Sequence, residues 1–243
     1  MKSNSETGHY KNVVGLNALK VFAEGLGTEY TPQKDSLKFP NLVILVNDST
    51  VVHNAVKDQI NTVSLTVDNR QLVFENVKPL STKVINTMGS TNVVPKTIID
   101  AKFFNSKIQG IRIKKKAATK EGEEESTNNS VSRQSYDSIY ENFRGLNNLL
   151  QQDGNYEPEE TDVNNVGLTI KENQMHAANQ DIVVQLNDLS TKRTQRNNKF
   201  YVGDTCLIAV GRDFKKYIRG KYGVTSPQFA QIRNIIFKDL GIK

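Results

Sequence analysis

Tryptophan is absent from this chain of 243 residues and aromatic residues make up only 7% of it. The core is therefore expected to be aliphatic, a composition ordinary for helix bundles and thin for a β-sandwich. A single cysteine, Cys206, excludes an internal disulfide framework and a cysteine-rich zinc site. No uninterrupted apolar run approaches the roughly 18–20 residues that span a bilayer. The opening stretch Met1–His9 is polar, with no apolar signal segment behind it. A soluble, cytoplasmic protein without a membrane partner is the expectation. Catalytic patterns are missing too. Gly25-Leu26-Gly27 lacks the third glycine and the preceding strand of a phosphate loop, and no Gly-x-Ser-x-Gly, His-Glu-x-x-His or Cys-x-x-Cys occurs. The chain is read as non-enzymatic, with no cofactor and no metal.

What is present is a pattern that occurs twice. Tyr30, Pro32, Arg70 and Phe74 recur 126 residues later as Tyr156, Pro158, Arg196 and Phe200. Between them Leu42, Val56, Ile60 and Val63 fall on Leu168, Ile182, Leu186 and Leu189. Apolar residues in steps of three and four predict one long amphipathic helix in each copy, with Val67 and Phe74 continuing the stripe of the first. Thr31-Pro32 and Glu157-Pro158 are expected to open these helices, because proline at the first helical position loses no hydrogen bond. Pro40 has no counterpart in the second copy, where Val166 stands, and predicts a kink or a late start.

In chain order, residues 1–11 read as a flexible arm and 12–113 as the first helical repeat. Residues 114–134, rich in Lys, Glu, Ser and Asn, read as a mobile charged linker, and 135–240 as the second repeat. Val13, Leu16, Leu19 and Phe22 predict the first short helix; Ile139, Phe143, Leu146 and Leu150 predict its counterpart. Val77, Leu80, Val84 and Met88, and then Cys206, Val210, Phe214 and Ile218, predict a descending helix in each half. Alternation at Ile111 and Ile113 suggests a short extended piece. The fold class is all-α: an internal tandem duplication of two three-helix halves, each with one short and two long helices. A helix pair with a single apolar stripe cannot shelter it alone, so the halves are expected to pack as one elongated pseudo-twofold helical bundle.

Tyr-x-Pro ahead of each long helix, Arg-x-x-x-Phe at its end, Ser135-Tyr136-Asp137 and Lys221–Pro227 together resemble a family of tandem-repeat, all-helical proteins from Bacteroidetes. The resemblance covers nearly the whole chain. That family has no assigned activity, so the resemblance implies a fold and a lineage and transfers no site residue.

Candidate chemistry is sparse. Glu172 and His176 share a helix face but lack a duplicate in the first copy, and read as a surface carboxylate–histidine pair. His53, aligned with Asn179, reads as a tolerated polar core or boundary residue, and His9 as solvated within the arm. Cys206, aligned with Leu80, reads as a small buried hydrophobe. The one feature that stands out is charge. Residues 192–221 carry nine Lys or Arg against two Asp, while the whole chain is only +6. Lys192, Arg193, Arg196 and Lys199 end one helix; Arg212, Lys215, Lys216 and Arg219 make an i, i+3, i+4, i+7 stripe on the next. These eight are the candidate anion or nucleic-acid contacts, with Tyr217 and Tyr222 placed to stack on bases. The leading expectation is nevertheless a non-enzymatic interaction or scaffold protein, with a protein partner or a second copy on its long helix faces; nucleic-acid binding is the alternative.

Overall fold

A computed structural model describes residues 6–111 and 134–241, and among them every regular element is helical. Eight α-helices follow one another: α1 (Thr7–Leu26), α2 (Phe39–Glu75), α3 (Val77–Met88), α4 (Pro95–Gln109), α5 (Tyr136–Gln152), α6 (Asn165–Tyr201), α7 (Leu207–Tyr222) and α8 (Pro227–Ile232). The expected linker and the extended piece at Ile111–Ile113 lie outside the described residues, apart from Ile111 and Gln134.

Local chemistry explains where these helices begin and end. Ser135 and Ser226 cap α5 and α8, each accepting a backbone N–H three residues on. Pro95 and Pro227 stand in the first turns of α4 and α8, where a missing N–H costs nothing. Gly110 ends α4 in the left-handed region at φ 79°. Several expectations need correction here. The arm is helical from Thr7 onward, because the spacing of Val13, Leu16 and Leu19 is carried back through Gly8–Asn12. The long helices open neither at Pro32 nor at Pro158. Pro40 tolerates helix only in its first turn, so α2 starts late, at Phe39. At α6 the Asn164 carboxamide caps the Gly167 N–H at 2.8 Å. The stretch before each is held by a tyrosine instead. Tyr30 donates to the Leu37 carbonyl at 2.6 Å, and Tyr156 donates to that of Val163 at 2.8 Å.

The expected three helices per half are four, and only one in each half is long. Gly89–Val94 and Gly223–Ser226 interrupt the descending segment, and Ile98, Ile99, Phe103 and Phe104 lie on α4. On α2 the inward residues are Val56, Gln59 and Thr66 rather than Ile60 and Val67. Leu186 likewise points outward. Polar residues in the inward register displaced the apolar ones that spacing alone selects.

The chain forms two compact units, residues 1–63 with 185–243, and residues 64–184. These units cut across the two expected repeats. In the first, α1 and α8 both pack on α7, around a core that includes Leu16, Leu19, Leu42, Phe200, Phe214 and Ile218. In the second, α4 packs on α3 and α5, around Val84, Met88, Ile108, Phe143, Tyr156 and Leu168. Each fully buried large side chain contributes about 1.5–3 kcal/mol to its unit.

Candidate interaction surfaces

The basic cluster is placed by burial. α7 turns Leu207, Val210, Gly211, Phe214 and Ile218 inward, which leaves Arg212, Lys215, Lys216 and Arg219 beside or opposite that face. Most of the eight candidate cations then meet partners within the chain. Lys192 donates to the Gln59 carboxamide at 2.6 Å. Arg193 and Arg196 both reach Glu6, and Arg196 is buried. Lys199 pairs with Asp48 at 2.6 Å. Arg212 reaches the Phe237 carbonyl at 3.5 Å. Lys215 donates to the carbonyls of Arg233 and Ile235 at 2.7 and 2.8 Å, and desolvation lowers its pKa. Lys216 pairs with Asp213 at 3.0 Å. Arg219 is exposed. The two tyrosines are engaged as well. Tyr217 accepts the Thr31 N–H at 3.0 Å and Tyr222 donates to Glu29 at 3.0 Å.

The other candidates sort differently from their expected roles. Glu172 does not pair with His176. It accepts from Asn147 at 2.6 Å and lies 3.8 Å from Arg144, while His176 rests against the Tyr140 ring. No group of three His, Cys, Asp or Glu that could hold a metal occurs among the described residues. Cys206 is free and buried. His53 is buried, stacked on Tyr10 with ring centroids 5.4 Å apart, and its Nδ1 has no partner. His9 is not solvated. It is buried on α1, with Nδ1 2.6 Å from the Tyr201 hydroxyl. Burial first, then the charges of Arg196, His53 and Arg193, push its pKa down to about 4.

The most elaborate arrangement was not predicted. After α8 the chain runs from Ile235 to Leu240 without helix or strand and lies across α1 and α7. Asn12 grips its main chain twice, donating to the Lys238 carbonyl at 2.8 Å and accepting the Lys238 N–H at 3.0 Å. Arg212 and Lys215 take the carbonyls of Phe237, Arg233 and Ile235 as described. Phe237 sits over two glycines: a Cβ on Gly211 would come within 2.5 Å of its ring, and one on Gly15 within 3.4 Å. Leu240 closes on Gly8 in the same way, at 2.5 Å. A sequence signal for this groove did exist. Tyr-x-Asn-x-x-Gly-Leu-Asn occurs at 10–17 and again at 140–147, a recurrence at a spacing other than 126.

Two further surfaces matter. On α2, Ile44 and Val51 stand one heptad apart in the first unit, 56% and 67% exposed; Leu65 and Leu72 do the same in the second, at 69% and 66%. The second unit also has an open cleft of about 630 Å³ lined by Pro79, Leu80 and Ile170, with the Lys83–Asp162 pair at its edge. Lys171 borders it but turns its ammonium to the Val73 carbonyl at 2.6 Å. Among the described residues no helix is long and apolar enough to cross a membrane.

Compared with protein-family models, curated proteins and solved structures, the chain gives no significant match.

Proposed function

We propose that this chain is a non-enzymatic interaction module whose long helix α2 offers outward aliphatic residues to the helix of a protein partner or of a second copy. The observation that carries the reading is the seven-residue spacing of Ile44 with Val51 and of Leu65 with Leu72, all more than half exposed. Seven residues is the period at which one helix meets another along a seam, and exposed aliphatics on that period have no role in the chain's own cores. Replacing each pair by Gln tests it. Sedimentation across a concentration series, and chemical cross-linking in the native cell, should show a self-associated species or a defined partner. That species or partner should be lost from one of the pair variants while the thermal melt stays unchanged. Wild type that stays monomeric and yields no cross-linked partner ends the reading.

The tandem origin belongs to the same proposal. It is supported by α2 and α6, each of 37 residues and starting 126 residues apart, and by the matched tyrosine bonds of Tyr30 and Tyr156. On this reading the Bacteroidetes family remains the proposed lineage and the cytoplasm the proposed compartment. Nucleic-acid binding ranks second. The basic surplus confined to residues 192–221 favours it; the inward engagement of most of those side chains weakens it, since counterion release requires cations that reach phosphate. Anisotropy with short DNA and RNA across a salt series separates the two.

A further inference from the structure

We propose that the groove between α1 and α7 is a peptide-recognition site, and that segment 235–240 of a second copy of this chain takes it in trans. What is recognised is a short piece of main chain with an aromatic residue at the place of Phe237 and an aliphatic one at that of Leu240. Asn12 reads both main-chain polar groups of one residue, Lys238, an arrangement that fixes register without asking which side chain is present. Lys215 and Arg212 supply charge-assisted donors to the carbonyls of three alternate residues, Arg233, Ile235 and Phe237. The missing Cβ of Gly211 forms the notch that receives the Phe237 ring, and that of Gly15 makes room for the Ile235 side chain.

Three features point to exchange. The groove walls are two helices that also pack directly on each other, around a core of Leu16, Leu19, Phe214 and Ile218 that the segment joins through the buried Phe237. The segment itself contributes no regular secondary structure, and its turn bond from the Ile235 N–H to the Ile232 carbonyl at 3.1 Å is local. Releasing it therefore breaks no helix hydrogen bond; what it uncovers is Phe237, which an identical segment would bury again. Finally, every one of those contacts is available to an identical segment from another molecule. The tether makes the resident copy win at low concentration, because a short tether holds its ligand at an effective concentration on the order of millimolar. This site is independent of the outward α2 residues, so failure of either proposal leaves the other standing.

Complementation between two full-length variants tests it. Phe237→Ser spoils the segment and leaves the groove intact. Gly211→Ala leaves the segment intact and closes the notch; alanine suits the interior of α7, so the lesion is confined to the groove. With Ile44, Val51, Leu65 and Leu72 changed to Gln in both, which removes any association through α2, each variant alone should sediment as a monomer of about 27 kDa. An equimolar mixture should form a one-to-one pair, seating the sound segment of one chain in the sound groove of the other. A mixture that stays monomeric up to about 200 µM, with both chains cooperatively folded, overturns the proposal. Should Phe237→Ser fail to fold, a fluorescent peptide of residues 232–241 is titrated onto wild type and onto Gly211→Ala. Saturable binding to wild type, weakened about tenfold or more by Gly211→Ala, supports the site. Absent binding, or equal binding to both, refutes it.

Discussion

Gln59 and Gln185 stand 126 residues apart in the chain and meet side chain to side chain: the Gln59 amide donates to the Gln185 carboxamide oxygen at 2.8 Å and to its backbone carbonyl at 3.2 Å. With Lys199 bonded to Asp48, the contact sets α2 and α6 antiparallel within the first unit. Gln59 is buried, so the bond forms where a lost partner is costly. Gln59→Leu should lower unfolding stability by about 1–3 kcal/mol, since Lys192 and Gln185 both lose a partner. Gln185→Leu in that background should add less than it does alone. Urea unfolding of the double-mutant cycle measures that coupling.

Arg196 and Arg70, 126 residues apart, anchor the starts of two helices by different chemistry. Arg196 is buried and reaches Glu6 at the start of α1; the Arg70 guanidinium lies 4.4 Å from the ring centre of Tyr136, the first residue of α5. Arg196→Met should cost about 2–4 kcal/mol, because Glu6 is left partly desolvated. Arg70→Met should cost no more than about 1 kcal/mol, the scale of a half-exposed cation–π contact. Paired denaturation curves decide the order.

His9 makes stability depend on pH. Its pKa is lowered from 6.5 to about 4 in the fold, so between those values the unfolded chain binds more protons and stability rises with pH. The contribution is complete above pH 6.5 and is lost as pH falls toward 4; His53, also lowered by burial, acts in the same sense. His9→Gln should flatten this part of the profile, leaving the His53 share. Thermal melts at pH 4.5, 5.5 and 7 check it, and NMR titration of the His9 ring should give a midpoint near 4.

Asn179 lies in the second unit with both carboxamide atoms buried and unpartnered. A leucine there removes a desolvation penalty and adds apolar surface. Asn179→Leu should therefore raise stability by about 1–2 kcal/mol. A loss on urea unfolding would mean that the side chain has a partner in solution.

Much of the helical plan was legible because α-helical periodicity is local. Leu16, Leu19, Phe143 and Phe214 announce their burial through neighbours three and four residues away. The register at mid-helix was not legible, since choosing Gln59 over Ile60 depends on a partner 126 residues distant. Charge counting locates a basic surplus at 192–221 but records sign, not destination. Nothing near Lys215 in sequence says that its ammonium will cap carbonyls of residues 233 and 235. The groove was least legible of all: Asn12 and Lys238 are 226 residues apart, and Tyr-x-Asn-x-x-Gly-Leu-Asn recurs at a spacing of 130 rather than 126.

The division of the chain also sets an order on its synthesis. Residues 64–184 make their unit from one unbroken stretch, whereas residues 1–63 need 185–243 to complete theirs. On the ribosome the unit of residues 64–184 closes first. α1 emerges early and waits, with Leu16 and Leu19 uncovered, for roughly 10–40 s at cellular elongation rates until α7 follows. The first unit is thus the one that nascent-chain chaperones would have to shield, and truncated products ending before α7 would carry its apolar face into the cell unpaired.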